Sequence, residues 1–267
     1  MLAQLSCTVL SREELSEDVF KLTLSSSYIS GKARPGNFVH LKVNSDSHAS
    51  PLLRRPFSIH SVDRAGKRFE ILLKVVGRGS AILSGKPPGE KLDLLGPIGN
   101  SFSHPSGGKV PILVAGGMGI APLWFLYTRL AKRLSSENMT VFLGAKSKKE
   151  LLYVERLKSA PVELILSTDD GSVGRKGLVT EVFLREIKRR GRDSKRLAVY
   201  SCGPHKMLKR MSQIAKSLDL WCQVSLETHM ACGVGACWGC VVKGKDEKYK
   251  RVCVDGPVFD AREVALE

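Results

Sequence analysis

The sequence predicts a multidomain protein of the β plus α/β class, with an antiparallel β-barrel, a parallel-sheet α/β domain and a small C-terminal module. Three observations predict this order. Short apolar runs separated by Gly and Pro fill residues 1–102, apolar strands alternate with helical patterns over residues 103–220, and four cysteines lie close together within residues 221–267. A chain of 267 residues, 43% of them hydrophobic, is long enough to bury the cores of such domains.

The first segment has the periodicity of half-buried strands. Residues 20–24 alternate between apolar and polar side chains, and further apolar runs cover residues 38–43 and 69–76. Gly and Pro separate these runs at intervals that suit an antiparallel barrel. One short helix is expected at residues 80–83.

The second segment begins after the glycine-containing loop at residues 106–108. Residues 110–115 are continuously apolar, as expected for a strand with both faces covered. Further strands are expected at residues 139–143, 162–166 and 197–200, and helices at residues 122–134, 150–157, 179–188 and 205–217. This alternation predicts a parallel sheet with right-handed crossovers. After residue 220 we expect one last strand at residues 223–226 and a hairpin at residues 243–250.

The formal net charge of +16 is large. The basic residues are spread along the chain and accompany no nucleic-acid-binding motif, so we expect no nucleic acid partner. The densest basic stretch, residues 185–196, also contains Glu186 and Asp193, which is typical of a solvated helix face and loop. The alternative is a surface that attracts an acidic protein or an anionic nucleotide.

The uncharged run at residues 110–127 is just long enough to be considered as a membrane span. Pro111, Pro122 and three glycines interrupt it, and a buried strand, a tight turn and a helix explain it better. The N-terminus lacks the basic start and apolar stretch of a signal peptide. The seven cysteines, an odd number with four clustered, do not suggest a disulfide scaffold. We therefore expect a cytoplasmic protein that does not contact a membrane.

The cysteine segment has the spacing C-x4-C-x2-C, from Cys232 through Cys237 to Cys240, and Cys253 follows thirteen positions later. This is the spacing of thiolates that hold a 2Fe–2S cluster. Glycines at positions 233, 235 and 239 let the backbone wrap closely around such a cluster and aim its amides at sulfur. Zinc is the alternative, although structural zinc sites usually use two well-separated C-x2-C pairs.

Two aromatic residues accompany the cysteines. Trp238 has two interpretations, a shield between the metal site and water or a residue that packs in the core. His229 could join a mixed His/Cys site, but four cysteines already suffice, so we expect it to take no part.

A second motif, Arg55-Pro56-Phe57-Ser58, lies at the end of an apparent strand. A flavin needs a cation to neutralise its phosphate and a small donor near its ring. We expect Arg55 and Ser58 to supply these groups, with Pro56 kinking the strand so that both face the ligand. The string by itself is a weak signal.

The downstream sequence Gly77-Arg78-Gly79-Ser80 strengthens the flavin interpretation. Its glycines let a pyrophosphate approach the backbone, and the start of the following short helix supplies amides for anionic oxygens. The alternative is an ordinary turn in which Ser80 is the N-cap of the helix.

A third motif joins a strand to a helix at residues 115–122. Gly116, Gly117 and Gly119 permit a tight turn and the close approach of a ligand phosphate, and the helix adds its dipole. Pro122 replaces the last glycine of the G-x-G-x-x-G fingerprint, so the string is compatible with a nucleotide without identifying one.

A similar turn, Cys202-Gly203-Pro204, follows another strand, at the end where open sheets bind ligands. Cys202 either lies near a nicotinamide or is a buried thiol.

In this order, the motifs resemble the ferredoxin reductase superfamily, whose members carry a flavin barrel followed by a nicotinamide-nucleotide domain. The strings at residues 230–240 and 251–259 are similar to those of the electron transfer subunits of NAD-dependent (type 1B) dihydroorotate dehydrogenase. The resemblance covers essentially the whole chain.

The resemblance implies three cofactors and their sites. FAD would contact Arg55, Pro56, Phe57 and Ser58, then Leu72, Leu73 and Lys74 on the following strand, and Gly79 and Ser80 at the pyrophosphate. The cluster ligands would be Cys232, Cys237, Cys240 and Cys253. NAD would lie at the turns of residues 116–119 and 202–204.

The resemblance also implies a function in pyrimidine biosynthesis. A partner subunit would oxidise dihydroorotate at its own FMN, and this chain would pass the electrons through the cluster and FAD to NAD. The expected assembly is a heterotetramer of two such chains and two catalytic subunits.

Two other functions stay open. The small subunits of NADH-dependent ferredoxin:NADP oxidoreductases, also called sulfide dehydrogenase subunits, share the Asp-Gly-Pro-Val-Phe ending. The +16 charge favours that group, whereas Cys232, where that group has an aspartate, favours the dihydroorotate enzyme. The third possibility is a zinc-stabilised nucleotide sensor without enzymatic activity.

The choice between NAD and NADP depends on which loop lines the ribose site. Asp169 and Asp170 would disfavour an added 2′-phosphate, whereas Lys146, Lys148 and Lys149 could bind one. The family resemblance favours NAD.

Overall fold

The computed structural model describes residues 2–43, 50–134, 139–189, 191 and 194–266. Its N-terminal part is a closed barrel of six antiparallel strands, ordered β1-β2-β5-β4-β3-β6. These strands are β1 (Ala3–Ser16), β2 (Val19–Ser25), β3 (Phe38–Leu41), β4 (Arg55–Asp63), β5 (Arg68–Lys74) and β6 (Lys91–Ile98). Closure pairs each strand on both sides and so removes open sheet edges.

Alternating apolar side chains fill the barrel. Leu22 on β2 pairs with Ile71 on β5, and both are fully buried. The helices of this part are α1 (Ser27–Lys32), which the sequence analysis did not identify, and α2 (Arg78–Ser84). The antiparallel barrel and the short helix expected at residues 80–83, observed as α2 between β5 and β6, were both predicted correctly from the sequence.

The Arg-Pro-Phe-Ser string begins strand β4, whereas the sequence analysis placed it at the end of a strand. From Arg55 to Ser58 this strand pairs regularly with β3, in the register Leu41 to Arg55 and Phe38 to Ser58. The kink expected at Pro56 is therefore absent from this ladder. The irregularity comes later, between Ile59 and Ser61 in the pairing with β5.

The rest of the chain builds a seven-stranded sheet in the order β10-β9-β8-β7-β11-β12-β15. Its strands are β7 (Val110–Gly116), β8 (Thr140–Ala145), β9 (Glu163–Thr168), β10 (Arg175–Lys176), β11 (Leu197–Cys202), β12 (Trp221–Ser225) and β15 (Val258–Asp260). All neighbours run parallel except β12 and β15, which are antiparallel. The predicted parallel sheet is thus confirmed.

Helices cover both faces of this sheet. They are α3 (Ile120–Leu130), α4 (Val154–Lys158), α5 (Val179–Arg189) and α6 (His205–Ser217). Apolar residues of α5 and α6 pack on one face, around Val114 and Val199, and those of α3 and α4 pack on the other, around Leu113 and Tyr200.

Two helices differ from the prediction. Helix α3 ends at Leu130, four residues before the expected end. The helix expected at residues 150–157 is divided into a 3-10 turn at Lys148–Glu150 and the short α4. The reason is Tyr153, whose φ of 65° is left-handed and cannot continue a right-handed helix.

The C-terminal segment is continuous with the sheet. Strands β12 and β15 both follow residue 220 and hydrogen-bond to each other as the last two strands. The predicted hairpin is present as β13 (Val241–Lys243) and β14 (Tyr249–Arg251). Cys240 and Val252 share an apolar core with Val114 of the sheet. The domain boundaries at residues 102 and 220 stay a prediction, and the sheet itself crosses the second one.

Asn100 ties the end of the barrel to the C-terminal segment. Its side-chain amide donates to the carbonyls of Asp255 (3.1 Å) and Val258 (2.7 Å), and its Oδ1 accepts from the N–H of Val258 (2.9 Å). Asn37 supports it from the barrel side by donating to the carbonyls of Gly99 and Asn100. These bonds position β15 against the barrel.

Within the part of the chain that the structure describes, the helices are all too short or too polar to cross a lipid bilayer.

Replacing Asn100 by Ala should lower the free energy of unfolding by about 1–2 kcal/mol, because three hydrogen bonds are lost at an exposed position where water partly replaces them. Scanning calorimetry of the purified chain measures the change. Gln4→Ala is the control, since this exposed amide donates to the Asp93 side chain within the barrel. Equal melting temperatures for Asn100→Ala and Gln4→Ala would contradict the role given to Asn100.

Candidate functional site

The cysteine loop follows β12 and wraps its backbone around its own sulfur atoms. The N–H groups of Val234 and Cys237 both donate to Sγ of Cys232 at 3.4 Å, and the N–H of Gly239 donates to Sγ of Cys237 at 3.4 Å. Glycines 233 and 235 have positive φ angles of 69° and 81°, which turn these peptide groups inward. The loop is therefore lined with donors that favour thiolates.

The four thiols form two pairs at different depths. Cys232 is half-buried and Cys237 is exposed, and they are joined by the N–H···S bond described above. Cys240 and Cys253 are both buried and lie side by side. The first pair is thus at the surface and the second is anchored in the core.

The thiols of Cys232 and Cys253 differ in pKa. Partial burial opposes ionisation of Cys232, but backbone donors from Val234 and Cys237 outweigh it and lower the pKa of this thiol to about 6. Burial, with the neighbouring Cys240, raises the pKa of Cys253 to about 12. Binding of a metal ion, which replaces the thiol protons, would favour the thiolate form of these cysteines.

The donor set fits a two-iron cluster better than a single ion. A tetrahedral zinc site needs four ligands around one point, whereas a 2Fe–2S cluster spreads four thiolates over two irons. Two cysteine pairs and inward-facing amides match the second arrangement.

Trp238 is not a core residue. Its side chain is 54% exposed, and the Arg251 guanidinium lies 5.3 Å from the centre of its ring. Arg251 is held in turn by Asp255, at 3.2 Å between Nε and Oδ2. The Trp238 ring therefore lies on the surface of the cysteine loop and not in the core. His229 is exposed.

The two segments of the expected flavin site meet at Arg55 and Gly79. An added Cβ on Gly79 would lie 3.0 Å from Nε of Arg55, so the strand start and the α2 turn are in contact. Ser80 is not the N-cap of α2, because the helix already begins at Arg78. Its Oγ accepts from the N–H groups of Val76 (2.9 Å) and Gly77 (3.2 Å) and thereby shapes the turn.

The three residues expected on the next strand differ in their surroundings. The Leu73 side chain is buried inside the barrel, and that of Leu72 packs against the core of the nucleotide domain. Lys74 forms an ion pair with Asp18 at 3.1 Å. From this strand, a ligand on the barrel surface is within reach of the backbone rather than of the leucine side chains.

The two nucleotide turns meet at the carboxyl ends of β7 and β11. An added Cβ on Gly119 would lie 2.0 Å from the carbonyl oxygen of Cys202, and one on Gly203 would lie 3.1 Å from the nitrogen of Gly116. Only glycine permits this approach. Gly117, with φ 51°, faces open space, and Pro204 precedes helix α6.

Strands β7 and β11 are also the point where the strand order reverses. The chain proceeds from β7 to β8, β9 and β10 on one side and returns to place β11 and β12 on the other. Open α/β sheets bind ligands in the crevice at such a switch point. The Cys202 thiol itself is buried, and burial raises its pKa well above its usual value, so it is the turn backbone that borders the crevice.

The loops that bear on NAD or NADP lie side by side at the same end of the sheet. The N–H of Asp169 donates to the carbonyl of Ala145 (3.1 Å), and that of Asp170 donates to the carbonyl of Lys146 (3.2 Å). The Asp170 carboxylate accepts from the N–H of Ser172 at 2.9 Å. Acidic and basic groups therefore border the same edge.

Two buried histidines lie between these sites, and no sequence pattern points to either of them. His60 lies on β4, and its Nδ1 is 3.0 Å from the carbonyl oxygen of Ala121 at the start of α3. His40 on β3 touches Gly233 of the cysteine loop. Burial lowers the pKa of His60 to about 3 and that of His40 to about 4, so both rings are neutral at physiological pH.

Family models match the chain in three segments. Residues 6–102 match an oxidoreductase FAD-binding domain, residues 113–213 an oxidoreductase NAD-binding domain, and residues 227–265 the iron–sulfur cluster binding domain of dihydroorotate dehydrogenase B. These matches confirm the three predicted cofactors, FAD, NAD and an iron–sulfur cluster.

Full-length relatives agree with the family models. The electron transfer subunit of dihydroorotate dehydrogenase B (NAD(+)) from Geobacillus thermodenitrificans is 40% identical over 100% of both chains. The protein of the same description from Desulforamulus reducens is 38% identical, with 95% of each chain covered.

Solved structures show the same architecture. That of an NADH-dependent reduced ferredoxin-NADP oxidoreductase is 32% identical, has a TM-score of 0.84, and covers 97% of this chain and 89% of that chain. A ferredoxin NADP+ reductase from Neisseria gonorrhoeae, 17% identical with a TM-score of 0.68, covers 80% of this chain and 91% of its own, and shows the fold alone. By full-length identity and its three domain matches, the chain belongs to the family of electron transfer subunits of NAD-dependent dihydroorotate dehydrogenase B.

Proposed function

We propose that this chain connects the oxidation of dihydroorotate in a partner subunit to the reduction of NAD+, in de novo pyrimidine (UMP) biosynthesis. The proposal is carried by the contact between the three sites in one chain: the cysteine loop touches β3, β3 pairs with the flavin strand β4, and β4 touches the start of α3. When bound, a 2Fe–2S cluster carries single electrons, a nicotinamide takes two as hydride, and a flavin does both.

Cys232, Cys237, Cys240 and Cys253 are the proposed cluster ligands. The buried pair fixes one side of the loop to the core, and the surface pair leaves the other side open to a partner. The N–H groups that donate to Cys232 and Cys237 stabilise negative charge on sulfur, which is one way in which proteins set the potential of a cluster.

FAD is assigned to the outside of the barrel, along Arg55, Pro56, Phe57 and Ser58 and the backbone of Leu72, Leu73 and Lys74. Arg55 lies against Gly79 in the first turn of α2, which supports a role for its guanidinium at the pyrophosphate. Ser80 keeps this turn closed, and Gly79 leaves room for a ligand. Ser58, three residues along β4, is the proposed donor near the flavin ring.

NAD is assigned to the crevice between the turns of Gly116, Gly117 and Gly119 and of Cys202, Gly203 and Pro204. The turns supply close backbone contact at the carboxyl ends of two adjacent parallel strands. Leu72 packs against the core of the nucleotide domain, which keeps the flavin strand pair next to this crevice.

The proposed partner is an FMN-containing catalytic subunit, in an assembly of two plus two. Exposed apolar side chains surround the exposed Cys237, namely Val234, Trp238 and Val254. Clusters of exposed apolar residues mark interaction surfaces. We place the partner on this face, where its flavin would lie next to the surface pair of cysteines.

A second candidate is a subunit that exchanges electrons with ferredoxin. The solved ferredoxin-NADP oxidoreductase covers nearly the whole chain at 32% identity, and the net charge of +16 suits an acidic partner. Cys232 favours the dihydroorotate function, because the family resemblance implies an aspartate at that position in the ferredoxin-linked group.

Mixing the purified chain with the dihydroorotate-oxidising subunit should give a complex that reduces NAD+ when dihydroorotate is added, whereas each part alone should not. NADH formation at 340 nm, followed anaerobically, measures this, and gel filtration with FMN and FAD analysis gives the subunit ratio. Reduction of ferredoxin by NADH, without any complex with the catalytic subunit, would favour the second candidate instead.

Changing Cys232, Cys237, Cys240 or Cys253 to Ser should remove most of the iron and acid-labile sulfide and abolish dihydroorotate-dependent NAD+ reduction, because serine is a poor ligand for iron. FAD content should stay near that of the wild type. Cys7→Ser is the control, since this buried cysteine donates to the Leu92 carbonyl inside the barrel and serine can do the same. Zinc in place of iron in the wild type would contradict the cluster assignment.

Gly119→Ala should lower kcat/KM for NADH at least about tenfold, equivalent to about 1.4 kcal/mol, because its Cβ would meet the Cys202 carbonyl and force the two turns apart. Steady-state reduction of an artificial acceptor by NADH measures this, and FAD content should not change. Gly31→Ala is the matched control, because this glycine, like Gly119, has no positive φ, and a Cβ there would meet nothing within 4 Å. Equal kinetics for the two variants would contradict the proposed NAD site.

A further inference from the structure

His40 is a buried polar side chain between two of the proposed cofactor sites. It lies on β3, fully buried, and its backbone pairs with Pro56 of the flavin strand on one side and with Leu95 of β6 on the other. The Arg54 guanidinium donates to its carbonyl at 3.4 Å. The backbone of His40 is therefore fixed within the barrel.

The imidazole points at the cysteine loop. The position of a Cβ on Gly233 lies 2.5 Å from Nδ1 of His40 and 3.2 Å from its Cε1, so ring and loop backbone are in direct contact. Gly233 is the residue after Cys232 and has φ 69°. Any larger residue would displace either the ring or the cysteine.

Among the described residues, neither ring nitrogen of His40 has a hydrogen-bond partner of regular geometry. The backbone carbonyls of Cys232 and Arg54 are close enough to the His40 ring to favour its protonated form. A neutral imidazole carries one N–H, and burial without a partner costs free energy. A small movement of the loop would let the ring donate to the Cys232 carbonyl.

We propose that His40 is a positioning residue that holds the Cys232–Gly233 backbone against the β3–β4 strand pair. It donates its ring N–H to the Cys232 carbonyl and so sets the position of one cluster ligand relative to the Arg55–Ser58 segment. This inference rests on the proposed cluster and FAD assignments. Groups that hold metal ligands in place typically change metal affinity or activity by about 10–100-fold when they are removed.

Three variants test the proposal in the full chain, reconstituted anaerobically with iron and sulfide. His40→Leu keeps the approximate volume without a donor, His40→Asn retains an N–H near the position of Nδ1, and Gly233→Ala pushes the loop away from an intact histidine. His60→Leu is the matched control, since His60 is equally buried in the same barrel but contacts α3 instead of the loop.

The measurements are iron and sulfide per FAD, the EPR spectrum of the reduced cluster and its midpoint potential. We expect His40→Leu and Gly233→Ala to lose iron about tenfold faster to a chelator and to shift the EPR g-values and the potential. His40→Asn should lie close to the wild type, and His60→Leu should leave the cluster spectrum unchanged.

Wild-type spectrum, potential and iron retention in His40→Leu would overturn the inference, as would an equal shift in His60→Leu. If His40→Leu does not fold, Gly233→Ala and His40→Asn are compared instead. Equal iron retention and equal cluster spectra in these two variants would overturn the inference. A wild-type chain that never acquires iron would instead refute the proposed function, so the two failures are distinguishable.

Discussion

The return of the C-terminal segment to the barrel is the packing interaction on which the other sites depend. Gly99 and Gly36 permit it, because a Cβ at the first would meet Pro257 at 2.4 Å and a Cβ at the second would meet Val258 at 2.8 Å. Strand β15 then completes the sheet beside β12. This contact helps to hold the cysteine loop next to β3 and β4.

Strand pairing also brings distant segments together in the nucleotide domain. The two glycine turns are far apart in sequence, yet the parallel pairing of β7 and β11 brings both to one sheet edge. Helix α3 begins directly after the first turn and packs on the barrel, where His60 reaches its Ala121 carbonyl. One helix thus links the crevice of the sheet to the flavin strand.

Local patterns in the sequence were sufficient for the barrel, the parallel sheet and the cysteine spacing. The strand at residues 110–115 was evident from its continuous apolar run, and helix α6 from the helical spacing of its apolar residues. The split before α4 was not, since it depends on a left-handed Tyr153. The contact between His40 and Gly233 was also hidden, because it joins positions that are distant in the chain and a lone histidine carries no periodic signal.

The exposure of Cys237 makes the unassembled chain sensitive to oxidation. This sulfur and its neighbour Trp238 lie at the surface, whereas Cys240 and Cys253 are enclosed. Oxygen and peroxide attack accessible sulfur first, and the higher oxidised forms of cysteine are not reversed. A catalytic subunit bound to this face would therefore protect Cys237 from oxidation as well as donate electrons. The unassembled chain would be inactivated by air sooner than the complex.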